Sequence, residues 1–448
     1  MRTVVMGAGR SGLAAARFLA SQGIPVVVTD RSPGPDPALE IDLAKRGIPG
    51  VWGDHPFVLL EGCEELVISP GIPRTTPFVV EAIARGIRII GEVELAHQAL
   101  RGRNDGSQIL AVTGTNGKST TTDLVAHLLN ASGIPATACG NLGTPMIEAV
   151  QTAPAGMTFA LELSSYQLES IQSFHAEGAA FLNLTPDHLA RHGTMESYRN
   201  TKLRIFERQG SADLRVVPAA HPELWRDAPG SGRTARFGWR ECEAWCDVEG
   251  SINLHGEPLL HRSELQIPGD HNVENALAAC LLASHAGAAL EGLREGLRSY
   301  PGLAHRLAFC GEKGGVRAYN DSKGTNVDAT LTAIHALPGP LVLLLGGTDK
   351  GASYAPLRDA LAGKLRRLVF LGEAVPQLIR DLGDLPHEVV PTFDEAVRVA
   401  LALARPGDQV LLSPACASFD QFDNFERRGD RFEALVAAWS KILGSPRA

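Results

Sequence analysis

The stretch AVTGTNGKSTTT, residues 111–122, contains the residue types of a phosphate-binding loop. Gly114 and Gly117 allow the backbone to approach an anion closely, and the N–H groups at the start of a following helix favour negative charge. Lys118 can reach the terminal phosphates of a nucleotide, and the Ser119 hydroxyl can bind Mg²⁺. The loop is shorter than the common pattern, because no glycine stands six residues before the lysine.

The elements around this loop support the same interpretation. An apolar, strand-like segment precedes it, and a helix with Val125, Leu128 and Leu129 on one face follows it. A strand, a glycine loop and a helix in this order have the geometry that phosphate binding requires. An ordinary glycine turn with a solvent-exposed lysine is the alternative, and the flanking elements favour the nucleotide site.

Further segments carry side chains that suit a metal ion. Glu162, in LELSSYQLE, follows an apolar segment, where it is either a Mg²⁺ ligand or a capping or surface acid. Asp187 and His188 follow a short strand in NLTPDHLARHG, although a single histidine is more often structural. Lys202 lies among apolar neighbours in YRNTKLRIFE, a pattern typical of a surface lysine whose stem packs on apolar groups.

A second glycine loop lies near the N-terminus. Residues 7–12, GAGRSG, match the dinucleotide-binding fingerprint, and Asp30 ends the next strand, where a ribose-binding acid is expected. The order strand, turn, helix, strand indicates a βαβ unit. Taken alone, this region indicates a nicotinamide-dependent oxidoreductase, but that interpretation leaves the loop at 114–120 unexplained.

The length of the chain bounds the number of domains. Its 448 residues exceed the roughly 250–300 that one core supports, so two or three domains are expected. A third α/β region begins near Pro301, where polar or glycine-rich clusters follow apolar strands. These clusters are NDSKGTN (320–326), GGTDKG (346–351) and SPACASFDQFDNFERRGDRF (413–432). Because ligands of open α/β sheets bind beyond the carboxyl ends of the strands, the clusters indicate a site.

Composition and charge exclude several classes of protein. The net charge of −8 does not favour nonspecific nucleic-acid binding. No apolar run approaches the roughly 18 residues of a membrane span, and no signal peptide precedes the first strand, so we expect a cytoplasmic protein. Seven cysteines are too few for a disulfide framework. Cys242 and Cys246 lack the second ligand pair of a zinc site.

Together, these stretches resemble the Mur ligase family. The motifs that carry the resemblance extend over the chain in order: GTNGKST, LELSSYQLE, the DH of TPDHLARHG, YRNTKLRIFE, HNVENALAA, AHR, NDSKGTN, LLGGTDKG and SPACASFDQFDNFERRG. GTNGKST is the short phosphate-binding loop of that family. The last motif indicates the member that adds D-glutamate to UDP-N-acetylmuramoyl-L-alanine rather than one of its sister ligases.

The resemblance implies an α/β fold with three domains. An N-terminal Rossmann-like domain (1–95) would bind the UDP-substrate, a central P-loop ATPase-type domain (96–301) would bind ATP, and a C-terminal Rossmann-like domain (302–448) would bind the amino acid. In such enzymes ATP phosphorylates the L-alanyl carboxylate, and the amine of D-glutamate attacks the acyl phosphate to give an amide, ADP and phosphate. The expected partners are small-molecule substrates of peptidoglycan precursor synthesis, and the protein itself is expected to be a monomer.

The resemblance also assigns roles to individual residues. It implies catalytic roles for Lys118, Glu162, His188 and Lys202, and a metal ion at Ser119, Glu162, His188 and Lys202. Lys202 would carry a carbamate, because an ammonium repels Mg²⁺ whereas a carbamate offers anionic oxygens. ATP contacts are implied for Gly114, Thr115, Asn116, Gly117, Lys118, Ser119, Thr120, Asn275, Arg306 and Asp321. UDP-substrate contacts are implied for Arg10, Ser11, Asp30, Arg31, Ser69, Gly71 and Asn141, and D-glutamate contacts for Thr325, Lys350, Ser418 and Phe425.

The chain departs from the family at two places, and three other interpretations stay open. The full GxGxxG at residues 7–12 is closer to a dinucleotide site than UDP binding requires, and TPDHLARHG differs around its central DH. The alternatives are the oxidoreductase, a sister ligase of the diaminopimelate-adding or folylpolyglutamate type, and a nucleotide-binding regulatory protein without enzymatic activity.

Overall fold

The computed structural model describes residues 2–349, 351 and 353–441. The described chain forms two compact units. The first contains the chain up to Glu264 together with Val273–Ser299, and the second contains Leu265–Asn272 and the chain from Tyr300 onwards.

The first unit begins with a five-stranded parallel sheet in the order β3-β2-β1-β4-β5. Three of its central strands, TVVM, VVVTD and ELVI, are short, rich in β-branched residues and largely buried, as expected for a parallel sheet that helices cover. The elements are β1 (Thr3–Met6), α1 (Arg10–Ser21), β2 (Val26–Asp30), α2 (Pro37–Lys45), β3 (Gly50–Trp52), β4 (Glu65–Ile68), α3 (Pro77–Ala84) and β5 (Arg88–Gly91). The strand order reverses between β1 and β4, and ligands of doubly wound sheets bind at this switch point.

A second sheet follows within the same unit. Its nine strands have the order β14-β13-β12-β11-β10-β9-β6-β8-β7, parallel from β7 to β12 and antiparallel at β13 and β14. The elements are α4 (Glu92–Arg103), β6 (Gln108–Thr113), α5 (Lys118–Ala131), β7 (Ala136–Gly140), α6 (Met146–Thr152), β8 (Thr158–Glu162), α7 (Ser165–Leu168), β9 (Gly178–Phe181), α8 (Leu189–His192), α9 (Met195–Leu203), β10 (Leu214–Pro218), β11 (Arg233–Gly238), β12 (Ala244–Cys246), β13 (Ser251–Leu254), β14 (Glu257–His261), α10 (Asp270–His285) and α11 (Leu290–Ser299).

The first two sheets share one hydrophobic core. Val5 and Ala15 of the first sheet and its helix belong to the same buried cluster as Ile109 and Phe159 of the second sheet. The carboxylate of Glu92, at the start of α4, accepts a hydrogen bond of 2.7 Å from the backbone N–H of Ile147 in α6. Burial raises the pKa of Glu92 to about 7. The two sheets are therefore packed as parts of one unit.

The second unit contains a six-stranded sheet in the order β15-β16-β20-β17-β18-β19, parallel except for β15. Its elements are β15 (Ala308–Lys313), β16 (Val316–Asn320), α12 (Val327–Ala336), β17 (Leu341–Gly346), α13 (Leu357–Leu361), β18 (Leu365–Leu371), α14 (Val375–Leu382), β19 (His387–Val389), α15 (Phe393–Leu403), β20 (Gln409–Leu412) and α16 (Phe425–Lys441). Helices cover both faces, with separate apolar clusters on the two sides of the sheet.

The three α/β sheets confirm the fold class predicted from the sequence. The predicted domain boundaries stay a prediction, and α4 runs continuously across the first of them, at residues 95 and 96. Within the described part of the chain, no helix combines the length and the apolar character that a bilayer crossing needs.

Candidate active site

The glycine loop lies between a buried strand and a helix, as the sequence predicts. β6 ends at Thr113 and α5 begins at Lys118, with Gly117 as the residue that precedes the helix. Gly117 has a φ of 81°, in the left-handed region that favours glycine, and a Cβ there would collide with the Asn275 side chain. The first N–H groups of α5 therefore face the loop, in the arrangement that binds anions at helix N-termini.

A residue that the sequence analysis did not single out holds this loop in shape. The Asn183 carboxamide oxygen accepts hydrogen bonds from the backbone N–H groups of Thr115, at 3.2 Å, and Asn116, at 2.9 Å. Its amide nitrogen donates to the Asn116 carbonyl at 3.1 Å. Asn183 follows β9, the neighbour of β6, so the sheet itself fixes the loop.

Two lysines converge on one oxygen of the loop. Lys118 Nζ donates to the Gly114 carbonyl at 3.1 Å and to the Thr115 carbonyl at 2.6 Å. Lys202 Nζ donates to the same Gly114 carbonyl at 2.7 Å. Lys202 is thereby brought to the phosphate-binding loop although it lies 88 positions after Gly114 in the chain.

Lys202 is buried, which corrects the surface position that its local pattern indicates. Its side chain is 1% exposed, and Nζ lies 4.6 Å from the centre of the Tyr198 ring. Burial and the nearby charge of Lys118 lower its pKa well below the ordinary value, against the opposing charges of Asp187 and Glu162. A buried amine with a lowered pKa is reactive toward electrophiles.

Glu162 provides the buried carboxylate of this region. It ends β8, and Oε1 accepts a hydrogen bond of 2.7 Å from the Asn141 side chain. Oε2 is buried and has no hydrogen-bond partner among the described residues. An unpaired buried carboxylate oxygen is costly unless a cation binds it, so this donor suits Mg²⁺.

His188 lies at the exposed rim of the same region. Its Nδ1 is 3.1 Å from the Tyr166 hydroxyl, and its Nε2 is 3.3 Å from Asp187. In the described ranges, no three His, Cys, Asp or Glu side chains form a ready-made metal site. Ser119 and Lys202 are residue types outside that set, so the metal ligands predicted from the sequence stay a prediction.

The residues predicted to contact the UDP-substrate surround the switch point of the first sheet. Ser69 follows β4, and its hydroxyl donates to the Gly7 carbonyl beside β1 at 3.2 Å. Arg10 Nη1 donates at 3.0 Å to the carbonyl of Gly143, in the loop that also contains Asn141. Ser11 belongs to the first turn of α1, Arg31 follows β2, and Gly71 lies in the turn after β4.

Asp30 differs from the ribose-binding acid of a dinucleotide site. Oδ2 accepts from the backbone N–H of Ala8 at 2.6 Å, and Oδ1 accepts from that of Ser32 at 2.8 Å. Burial alone would raise the pKa of Asp30, but these N–H groups outweigh it and hold the pKa below its usual value. The carboxylate therefore closes the glycine loop, which weakens the oxidoreductase interpretation.

The three remaining residues predicted to contact ATP lie in different parts of the chain. Asn275, on α10, accepts a hydrogen bond from the Thr121 hydroxyl at 3.2 Å and lies directly against the glycine loop. Arg306 and Asp321 belong to the second unit. There the Asp321 carboxylate accepts from the Ser413 hydroxyl at 2.7 Å, and burial raises its pKa to about 7.

The predicted D-glutamate residues lie on loops beyond the carboxyl ends of β16 and β20. Ser418 is buried, Phe425 begins α16, and Thr325 lies in the loop between β16 and α12. Lys350 lies outside the described residues. The sequence therefore identified loops that follow adjacent strands of the same sheet.

A buried arginine that was not predicted connects these loops. Arg428 is 2% exposed, and its guanidinium donates to the carbonyls of Ser322, Cys416 and Ala417 at 2.8–3.2 Å. Its Nε donates to the Ser322 hydroxyl at 3.0 Å. Burial lowers the pKa of Arg428 to about 10. The sequence feature that could have identified Arg428 is its position in the polar cluster 413–432.

The chain matches three protein-family descriptions in order. They are "Mur ligase MurD-like, N-terminal domain" at residues 1–91, "Mur ligase middle domain" at 112–283 and "Mur ligase, glutamate ligase domain" at 305–416. A UDP-N-acetylmuramoylalanine--D-glutamate ligase from Pelotomaculum thermopropionicum is 40% identical over 452 residues, with 98% of each chain covered. The chain belongs to the Mur ligase family.

Other relatives of this Mur ligase agree. An enzyme of the same name from Solibacter usitatus is 40% identical over 440 residues, covering 97% of both chains. Among solved structures, the UDP-N-acetylmuramate-alanine ligase MurC of Thermotoga maritima has a TM-score of 0.61 at 19% identity, covering 98% of this chain and 100% of that one. The MurF ligase of the same organism, solved in complex with ADP, has a TM-score of 0.59 at 16% identity, covering 92% and 95%. The two structures show that the fold is that of the Mur ligases.

Proposed function

We propose that this Mur ligase adds D-glutamate to UDP-N-acetylmuramoyl-L-alanine, with hydrolysis of ATP to ADP and phosphate, in peptidoglycan precursor synthesis. The observation that carries the proposal is the 40% identity, over nearly the whole chain, to D-glutamate ligases. We place the activity in the cytoplasm, where ATP is available, and expect the protein to act as a monomer on small-molecule substrates.

ATP binds through the glycine loop. The residues Gly114–Thr120 hold the phosphates by backbone N–H groups and by the Lys118 ammonium, which exchanges its carbonyl partners for phosphate oxygens. Lys118 then neutralises charge as the γ-phosphoryl group moves to the L-alanyl carboxylate. Asn275 lies beside the loop, and Arg306 and Asp321 stay predicted ATP contacts.

Ser119, Glu162, His188 and a modified Lys202 would hold Mg²⁺. The buried, unpaired Oε2 of Glu162 supports this assignment. When bound, Mg²⁺ supplies charge stabilisation to the phosphoryl oxygens. Asn141 fixes the Glu162 carboxylate through the bond to Oε1, which would leave Oε2 oriented for a metal ion.

The modification of Lys202 is a carbamate. Its neutral amine attacks CO₂, an N–C bond forms, and the nitrogen releases one proton, which leaves an anionic carbamate. The lowered pKa of Lys202 supports this step, because only the neutral amine has the electron pair that attacks. The product places a negative charge beside the Lys118 ammonium.

The acyl phosphate formed on the L-alanyl carboxylate reacts with the D-glutamate amine. Thr325, Ser418 and Lys350 bind the two carboxylates of D-glutamate, and Phe425 packs against its apolar stem. The amine attacks the acyl carbon, phosphate leaves, and the amine proton is released. Arg10, Ser11, Asp30, Arg31, Ser69, Gly71 and Asn141 bind the UDP-sugar, which directs the L-alanyl carboxylate toward the ATP site.

ADP release with each substrate omitted in turn tests this function. We expect ADP only when ATP, Mg²⁺ and UDP-N-acetylmuramoyl-L-alanine are present, because that carboxylate receives the phosphoryl group. Lys118→Ala serves as the control and should lower turnover by orders of magnitude. Equal ADP production without the UDP-substrate would rule out the ligase mechanism.

A further inference from the structure

Arg191, on α8, connects two parts of the candidate site and has no role in the proposed mechanism. Its Nε and Nη2 donate to the two carboxylate oxygens of Glu169 at 3.2 and 2.6 Å. Nη2 also donates to the backbone carbonyl of Ile72 at 3.1 Å, and the guanidinium carbon lies 5.0 Å from the centre of the Tyr166 ring. The two charged side chains are only 15% and 17% exposed, so one largely enclosed guanidinium joins a short helix, a carboxylate and a turn of the first sheet.

The turn that Arg191 contacts, residues 69–72, follows β4 and carries two of the predicted UDP-substrate residues, Ser69 and Gly71. The Ile72 N–H closes this turn by donating to the Ser69 carbonyl at 3.0 Å. The Ser69 hydroxyl fastens the turn to the Gly7 carbonyl, and a Cβ at Gly7 would collide with the Ser69 side chain. The turn is therefore anchored to the first sheet without Arg191.

Helix α8 is anchored to the second sheet in a similar way. With four residues it is too short to be stable alone, and His188, directly before it, has a φ of 53° in the left-handed region. Contacts with the segment 165–169, which follows β8, hold it in place. His192 Nε2 lies 3.0 Å from the Ser165 hydroxyl, and His188 Nδ1 lies 3.1 Å from the Tyr166 hydroxyl. What Arg191 adds is a direct bond between α8 and the turn 69–72.

The separation of these two parts matters for the proposed reaction. The UDP-sugar would lie at the turn, and the L-alanyl carboxylate that it carries would have to reach the phosphoryl group near Lys118 and His188. A misplacement of about 1 Å between reacting groups can lower a rate by on the order of a hundredfold.

We propose that Arg191 is a positioning residue that holds the turn 69–72 and helix α8 at the separation at which the L-alanyl carboxylate meets the phosphoryl group. The inference rests on the proposed function and adds to it the contact that sets this distance. A guanidinium suits the role, because its planar fork of donors bonds a carboxylate and a carbonyl at once, whereas an ammonium is a point charge.

The variant Arg191→Ala separates binding from reaction. UDP contacts the turn and ADP contacts the glycine loop, so the equilibrium affinity of the full chain for each should stay at the wild-type value. Turnover should fall by roughly ten- to a hundredfold, because the two sites are no longer held in register. The affinity that UDP-N-acetylmuramoyl-L-alanine has beyond that of UDP should fall by roughly tenfold, the loss expected for one misplaced charge-assisted hydrogen bond.

A double-mutant cycle tests whether the effect passes through the contact with Glu169. Glu169→Gln removes the charge that holds the guanidinium, so it should lower turnover in the same direction as Arg191→Ala. The double variant should be no slower than Arg191→Ala, because both changes break one contact. Arg191→Lys keeps the charge but cannot make all three hydrogen bonds, so its turnover should be intermediate.

The matched control is Arg85→Ala, which breaks an exposed ion pair with Glu81 on α3 and should react at the wild-type rate. Unchanged turnover in Arg191→Ala, or rate losses that multiply in the double variant, would overturn the proposal. Joint loss of UDP affinity, ADP affinity and melting temperature would also overturn it, because it would indicate a purely structural role. Failure of the wild type to bind UDP or to form product would instead refute the proposed function, so the two failures are distinguishable.

Discussion

Lys118 and Lys202 donate hydrogen bonds to the same atom, the carbonyl oxygen of Gly114, at 3.1 and 2.7 Å. Two ammonium groups at one oxygen repel each other, and burial adds to the cost of the second charge. The geometry therefore favours loss of a proton from the more buried group, Lys202, whose pKa is lowered. A carbamate there would convert the repulsion into attraction.

Replacing Lys202 tests this relationship. Arginine keeps the positive charge but cannot form a carbamate, so Lys202→Arg should reduce turnover by orders of magnitude. Wild-type activity should fall in buffers stripped of CO₂ and return when bicarbonate is added. The control is Lys45→Arg, at an exposed position on α2, which should remain fully active. A fully active Lys202→Arg variant would contradict the proposal.

Glu162→Gln removes one negative charge at nearly constant volume. The new side chain can still accept the Asn141 hydrogen bond, so the fold should persist with little change in melting temperature. Because a metal ligand is lost, the Mg²⁺ concentration for half-maximal activity should rise by roughly tenfold or more. Glu249→Gln, at an exposed site in the same unit, is the matched control. An unchanged Mg²⁺ requirement would show that Glu162 is not a ligand.

The D-glutamate assignments predict a selective loss of amino-acid affinity. Hydrogen bonds to charged groups contribute about 1.5–3 kcal/mol, so Lys350→Ala should raise the KM for D-glutamate by roughly tenfold or more. Ser418→Ala should act in the same direction, and the KM for ATP should change little in both variants. Product formation with D-glutamate, L-glutamate, D-aspartate and meso-diaminopimelate checks specificity. A preference for L-glutamate or diaminopimelate would indicate a sister ligase.

Asp321 predicts a pH dependence of stability. Burial raises the pKa of Asp321 in the folded chain to about 7, from an ordinary value of 3.8. The folded state therefore binds this proton more tightly, and the contribution to stability falls as pH rises from 4 to 7, by up to about 1.4 kcal/mol per pH unit. Asp321→Asn should gain stability relative to wild type between pH 5 and pH 8. Urea denaturation at both pH values measures the difference, and an equal difference at both would contradict the shift.

The features that the sequence predicted are those that a local pattern of residues encodes. A buried strand, glycines and a helix in order located the loop at Lys118, and polar clusters after apolar strands located the loops of the second unit. The burial of Lys202 could not be read in this way, because the groups that enclose it include Gly114, far away in the chain. Asn183 and Arg428 were missed for the same reason, since Asn183 binds the backbone of Asn116 and Arg428 binds the carbonyl of Ser322, both far away in the chain.

The antiparallel pairing of β13 and β14, at one edge of the nine-stranded sheet, was also not predicted from the sequence. Their short segments have no long apolar run, and pairing between strands depends on register rather than on composition. Family resemblance added the residue roles that pattern alone left open, such as the choice between a ligand and a surface acid for Glu162.

The core shared by the first two sheets has a consequence for how this protein can be divided. The family boundaries at residues 91 and 112 suggest two pieces that could be produced separately. Separating the pieces there would expose Val5 and Ala15 on one fragment and Phe159 on the other. The buried Glu92 lies between the two boundaries and would be lost from both fragments. The domains that the family models define are thus not the fragments of this chain that can fold alone. A stable fragment has to keep both sheets.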